Sequence, residues 1–106
     1  MVVQRVTMFK IPELEGQREL LAMYKNLSGL ALKDGKPYIL RCVAGHCEED
    51  SRSQGYTVAV ANTFADMDGF KFYDTECPAH NEVRKVVRKW SQGTMMVYFN
   101  NVIPEN

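Results

Sequence analysis

From Val2 to Ile11 the chain is rich in β-branched residues and is stopped by Pro12, which predicts a strand. Glu13 to Lys33 predicts a helix: Pro12, Glu13 and Glu15 mark its start, and Asp34-Gly35 its end. Within it Leu20, Tyr24, Leu27 and Ala31, with Leu21 beside them, form one apolar stripe at helical spacing. Lys36 to Ala44 predicts a second strand. Gly45 to Gly55 is polar, carries Glu48-Glu49-Asp50, and predicts a solvated loop. Tyr56 to Asn62 predicts a third strand, in which Tyr56, Val58 and Val60 alternate with Thr57, Ala59 and Ala61. Thr63-x-x-Asp66 has the form of a capping box, so a short helix runs from there to about Tyr73, weakened by Gly69. Cys77-Pro78 opens a further helix, with Pro78 suited to its first turn. In that helix Val83, Val86, Val87 and Trp90 repeat at i, i+3, i+4, i+7, and Gly93 ends it. Thr94 to Asn100 predicts the last strand.

The order β-α-β-β-α-β is that of an α+β, ferredoxin-like fold: one antiparallel sheet with its helices on one face. A sheet with one wet face alternates apolar and polar residues. These strands do not. Met95, Val97 and Phe99 oppose Met96 and Tyr98; Val3, Phe9 and Ile11 oppose Val2, Val6 and Met8; Tyr38, Leu40 and Cys42 oppose Ile39 and Val43. No segment is left over to cover the second face. A second copy of the chain, sheet on sheet in a two-fold homodimer, answers the need. Partial exposure of Met and Tyr is the other reading.

Composition narrows the function classes. The chain has 106 residues with 13 Lys+Arg against 13 Asp+Glu, so residues 1–106 predict a single domain of zero net charge. Zero net charge argues against a nucleic-acid partner, whose phosphates call for a basic excess. No apolar run approaches the roughly twenty residues of a membrane span, so no membrane partner is expected. Met1-Val2-Val3-Gln4-Arg5 does not resemble a signal peptide. With three Cys, this predicts a reduced, cytoplasmic setting with free thiols. Cys42, His46 and Cys47, and likewise Cys77 and His80, lack zinc spacing, so no metal is expected. Arg84, Lys85, Arg88 and Lys89 predict a solvated basic face on the last helix.

The candidate chemistry centres on His80. Three residues before Val83 and seven before Val87, it shares the apolar face of its helix. An imidazole aimed into a cavity can act as general acid or base; a structural, hydrogen-bonded His is the alternative. Tyr24 lies in the first helix's stripe, with a hydroxyl that needs a partner, and Tyr73 and Phe72 sit just before His80. Arg5 is in step with Val3, Thr7 and Phe9. If that side meets the helices, Arg5 is a buried charge that must be paired or bind an anion, with the Thr7 hydroxyl in the same row.

Several stretches together resemble the stress-responsive A/B barrel family of dimeric α/β barrels. They are Met8-Phe9-Lys10-Ile11, Ser53-Gln54-Gly55-Tyr56-Thr57, and the box Tyr73-Asp74-Thr75-Glu76-Cys77-Pro78-Ala79-His80. The resemblance covers nearly the whole chain. It implies a homodimer with a pocket between sheet and helices in each subunit, which would hold a small hydrophobic or aromatic ligand. The chain is also similar, more distantly, to plant polyketide cyclases that work without a cofactor through a His-Tyr pair. That likeness places His80 and Tyr73 as the catalytic pair, with Tyr24 and Trp90 lining the pocket. Those cyclases carry a His on the first strand where this chain has Arg5. Arg cannot act as a base, but can hold an enolate or carboxylate. The functions implied are a cofactor-free cyclase or lyase, a non-catalytic dimeric ligand-binding or stress-associated protein, and, third, a monooxygenase of the same superfamily that needs no cofactor.

Overall fold

The computed structural model describes residues 1–105; the last residue of the expected domain, Asn106, lies outside them. The elements are β1 (Val3–Phe9), α1 (Leu14–Lys25), α2 (Leu27–Leu30), β2 (Leu32–Lys33), β3 (Lys36–Pro37), β4 (Ile39–His46), β5 (Val58–Phe64), α3 (Met67–Thr75), α4 (Pro78–Trp90) and β6 (Thr94–Asn100). The main sheet is antiparallel and ordered β4-β5-β1-β6. This is the ferredoxin-like arrangement, with β1 and β5 central.

Alternation along the strands sorts the residues between two faces. In β1, Val3, Arg5, Thr7 and Phe9 are buried toward the helices, while Gln4, Val6 and Met8 point the other way. In β5, Val58, Val60, Asn62 and Phe64 are buried and Ala59, Ala61 and Thr63 are not. The register sets Arg5 between Asn62 of β5 and Tyr98 of β6. Below the helices the core gathers Ile11, Leu20, Leu27, Phe64, Tyr73 and Val83. The opposite face is open and apolar, as the doubly apolar strands predict: Met95, Val97 and Phe99 are each about half exposed beside Val6 and Met8.

Helices α1 and α4 pack together through one close approach. Gly16 lies under the Trp90 indole, where a Cβ would come within 2.5 Å of Trp90 Cδ2. The Trp90 Nε1–H donates to Glu19 Oε2, which fixes the ring over this contact.

Several boundaries differ from the sequence reading, each for a local reason. The helix expected over Glu13–Lys33 ends at Lys25, although Leu27 and Ala31 keep its apolar period and are buried. Asp34 and Gly35 both have positive φ (53° and 76°), the requirement of a two-residue I′ hairpin, so they join β2 to β3 instead of closing a helix. The second main strand starts at Ile39 rather than Lys36 and runs two residues into the expected loop, to His46. A bulge between Ile39 and Arg41 puts Ile39 and Cys42 on the same side of the sheet, not on opposite sides. The third strand is shifted to Val58–Phe64. Thr57 instead clamps the end of β1: its hydroxyl accepts from Ile11 N at 3.0 Å and donates to Ile11 O at 2.8 Å. Thr63 does not cap the short helix, because its hydroxyl is spent across the sheet on Gln4 Oε1, 2.7 Å away. Asp66 is the cap, accepting from Gly69 N at 2.9 Å, and the helix continues past Tyr73 to Thr75. Thr94–Asn100 forms the last strand as expected.

Candidate active site

A cavity of about 170 Å³ lies between the β1–β6 side of the sheet and helix α4. Its polar groups come from Arg5, Thr7, Tyr24, His80, Arg84 and Thr94. Phe9, Val83, Val87 and Met96 supply its apolar wall. A larger groove of about 510 Å³ beside β4 shares only Tyr24 with this cavity and contains neither Arg5 nor His80. The smaller cavity is where Arg5, His80 and Arg84 converge with Tyr24, whereas the groove beside β4 is lined by Tyr24, Lys25, Cys42 and His46.

His80 enters on the first turn of α4, which Cys77 and Pro78 start. Its ring is stacked on the Tyr73 ring, with centroids 3.7 Å apart and planes 12° from parallel. Its Nδ1 lies 2.7 Å from the Tyr73 carbonyl oxygen. A carbonyl can only accept, so Nδ1 carries the hydrogen and the neutral ring keeps its lone pair on Nε2. Burial pushes the imidazole pKa down to about 4, and the Arg5 and Arg84 guanidiniums push in the same direction. The Tyr73 carbonyl and the Asp74 carboxylate oppose the shift without cancelling it. At neutral pH the side chain is thus a neutral imidazole in one tautomer.

Arg5 is buried with the rest of its row and donates from Nη1 to Thr7 Oγ1 at 3.0 Å. Its Nη2 meets Asp74 Oδ1 at 3.4 Å, and its guanidinium lies 5.1 Å from the Tyr73 ring centroid. Both tyrosine hydroxyls stay protonated at neutral pH. Burial raises Tyr24 most, against a lowering pull from Arg5. Tyr73 is raised by burial and then by its neighbour Tyr24.

The structure brings together Arg5 and Thr7 of β1, Tyr24 of α1 and His80 of α4 on the cavity, with Tyr73 of α3 stacked behind His80 rather than in the cavity wall, and it leaves Trp90 apart. Trp90 is held over Gly16 at the α1–α4 contact rather than in the cavity wall. Arg84 also departs from expectation. It is not on the solvated face with Lys85 and Lys89, because it sits four residues after His80 and shares that side of the helix. Its guanidinium is drawn in by Asp74, donating to the backbone carbonyl and lying 3.7 Å from Oδ1.

Two residues that sequence reasoning missed are Asp74 and Asn62. Asn62 is wholly buried, and both its amide oxygen and its nitrogen lack a hydrogen-bond partner among the described residues. The Arg5 Nε and the Tyr73 hydroxyl are in the same position. Buried polar atoms are nearly always satisfied, so such a concentration marks a place where polarity serves something other than stability. The signal was present: Asn62 is in phase with Val58, Val60 and Phe64, a polar residue on a core-facing row. Among the described residues no group of three or more His, Cys, Asp or Glu is placed to hold a metal ion. No helix among them is long and apolar enough to cross a membrane.

Comparison with known proteins agrees with this architecture. The family model described as the Stress Responsive A/B Barrel Domain matches residues 3–101. A fusaristatin A biosynthesis cluster protein of Gibberella zeae is 44% identical over 98 residues, which cover 92% of this chain and 71% of that protein. The hydroxynitrile lyase of Passiflora edulis superposes with a TM-score of 0.77 at 18% identity, over 95% of this chain and 94% of the lyase. A dimeric protein of ferredoxin-like fold from Bacteroides fragilis superposes with a TM-score of 0.71 at 19% identity, over 94% and 96% of the two chains. At these identities the two solved structures establish the shared fold.

Proposed function

The chain belongs to the stress-responsive A/B barrel domain family, and from that premise we propose that it is a cofactor-independent enzyme of the cyclase or lyase type. Its substrate is a small hydrophobic or aromatic molecule held between sheet and helices. The observation that carries this reading is the single tautomer of His80. With Nδ1 committed to the Tyr73 carbonyl, Nε2 is the nitrogen left to take a proton. The reaction is a proton-driven making or breaking of a carbon–carbon bond. In the lyase direction Nε2 takes the proton of a hydroxyl, and the carbon–carbon bond beside it breaks, its pair leaving with the departing carbon as the hydroxyl oxygen becomes a carbonyl. In the cyclase direction Nε2 takes a proton from a carbon beside a carbonyl, and the enolate carbon attacks a second carbonyl of the same molecule, forming the carbon–carbon bond while that carbonyl's π pair moves onto its oxygen. Arg5, steadied by Thr7, stabilises the charge on that oxygen. The imidazolium or the Tyr24 phenol then returns a proton. A neutral imidazole beside protonated tyrosines is the division of labour that such chemistry needs. Tyr73 holds the imidazole flat and in register by stacking.

The relative in a biosynthesis cluster supports a substrate from secondary metabolism, and the lyase neighbour supports carbon–carbon chemistry on this fold. The open sheet face and the dimeric neighbour support a homodimer closed sheet on sheet. A second reading, ligand binding without turnover, is favoured by one observation: an imidazole at about 4 is a poor base at neutral pH. Single-turnover product analysis on poly-β-ketone and cyanohydrin substrates separates the two. His80→Gln should lower turnover by roughly 10²–10⁴-fold. Turnover unchanged in that variant would remove His80 from the chemistry and leave the binding reading.

A further inference from the structure

The charges facing the cavity do not balance. Arg5 from β1 and Arg84 from α4 both lean on one carboxylate, Asp74 of α3, at 3.4 and 3.7 Å. His80 of α4, Tyr73 of α3 and Tyr24 of α1 are the other titratable groups on the site, and all three are neutral at pH 7. Two guanidiniums against one carboxylate leave one positive charge in excess. Arg84 and Asp74 are each about a third exposed and share in solvent screening, so the cost falls on the buried Arg5, whose charge needs a close partner. The existing pairing is poor: 3.4 Å is well beyond the roughly 2.7–2.9 Å of a strong charge-assisted hydrogen bond. The Arg5 Nε is buried with no partner.

We propose that the cavity takes a ring-sized organic carboxylate, clamped between Arg5 at the inner end and Arg84 at the mouth, with Arg84 setting the preference for charge. This deepens the reading of the cavity as a substrate site and does not depend on turnover. Three observations fit it. The volume of about 170 Å³ compares with the roughly 150 Å³ that accommodates benzene. Apolar walls from Phe9, Val83, Val87 and Met96 suit the body of such a molecule. The two guanidiniums are close enough for one carboxylate to bridge them, since Asp74 already approaches both.

A consequence follows for His80. The guanidiniums are among the forces that hold its imidazole unprotonated. An anion bound between them opposes that effect, so the ligand itself makes His80 a stronger base. Charged substrate thereby removes the weakness of the resting imidazole.

Calorimetric titration of the whole protein at low salt, with benzoate and with its uncharged counterpart benzamide, tests the proposal. Benzoate should bind at least about tenfold more tightly, and Arg84→Gln should abolish most of that preference while Arg84→Lys retains part of it. By NMR, saturating benzoate should raise the His80 pKa by roughly one unit. Equal binding of the two probes, no binding of either at millimolar concentration, or a preference intact in Arg84→Gln would overturn it. His80→Gln, which stops turnover if the proposed chemistry holds, should keep the benzoate preference. Loss of the charge preference and loss of the catalytic assignment are therefore distinguishable outcomes.

Discussion

Acid should destabilise this protein through His80, well above the pH at which carboxylates begin to protonate. In the unfolded chain the imidazole titrates at its ordinary value of 6.5, while in the folded protein burial holds it at about 4. Between those values the unfolded state binds a proton that the native state refuses. Stability is complete above pH 6.5 and is lost as pH falls through the window toward 4. A displacement of that size corresponds to about 3 kcal/mol over the whole window, of which about 2 kcal/mol falls between pH 7 and pH 5. Urea unfolding at fixed protein concentration, repeated at half-unit steps from pH 7.5 to 4.5, measures it. His80→Gln supplies the control: glutamine can still donate to the Tyr73 carbonyl but does not titrate. His46 and every carboxylate are present in both proteins, so the difference between the two curves isolates His80. Parallel curves for wild type and His80→Gln would show that the imidazole is not dry, and would undercut the single-tautomer argument with it.

Three further substitutions probe other parts of the molecule. Val97 is half exposed on the open sheet face, so Val97→Glu should sediment as a monomer of 12.1 kDa and the wild type at twice that mass; equal masses would refute the covered face. Gly→Ala inside a helix normally stabilises by roughly 1 kcal/mol. Gly16→Ala should instead destabilise by about 1–3 kcal/mol, because its Cβ strikes the Trp90 indole, and Trp90→Leu in the same chain should recover much of the loss in thermal unfolding. Asn62→Leu should stabilise by about 1–2 kcal/mol, since it removes two buried polar atoms that have no partner; a lowered unfolding midpoint would mean that the amide is satisfied in solution.

Most of the fold was legible because most of its signals are local. A run of apolar and aromatic residues bounded by Gly93 marks β6, and Pro78 with the Val83-Val86-Val87-Trp90 stripe marks α4. The end of the first helix is not legible in the sequence, because a period cannot show that a chain has turned. Leu27 and Ala31 continue the spacing of Leu20 and Tyr24 and are equally buried, yet belong to a separate turn of helix and its exit. Thr63 misled in a comparable way, since the choice of Asp66 as cap depends on where the Thr63 hydroxyl finds Gln4 on a neighbouring strand. In the site, His80, Tyr24, Tyr73, Arg5 and Thr7 were visible as polar or aromatic residues on apolar rows. Asp74 was not, because its role follows from how α3 is placed against β1 and α4, which no spacing encodes; Arg84 could have been placed beside His80 by its i+4 spacing, but its neighbours Lys85, Arg88 and Lys89 read as one solvated basic face.

Neighbouring residues of β1 point to opposite sides, so the lining of the cavity and the naked side of the sheet are interleaved along seven positions. Lineages can exchange Arg5 or Val6 one at a time, altering ligand taste and self-recognition separately. Gaining or losing a single amino acid in this stretch would swap both sets in one event, turning Arg5 outward and Val6 inward. Drift in the letters of this strand is therefore tolerable where a change in its length is not.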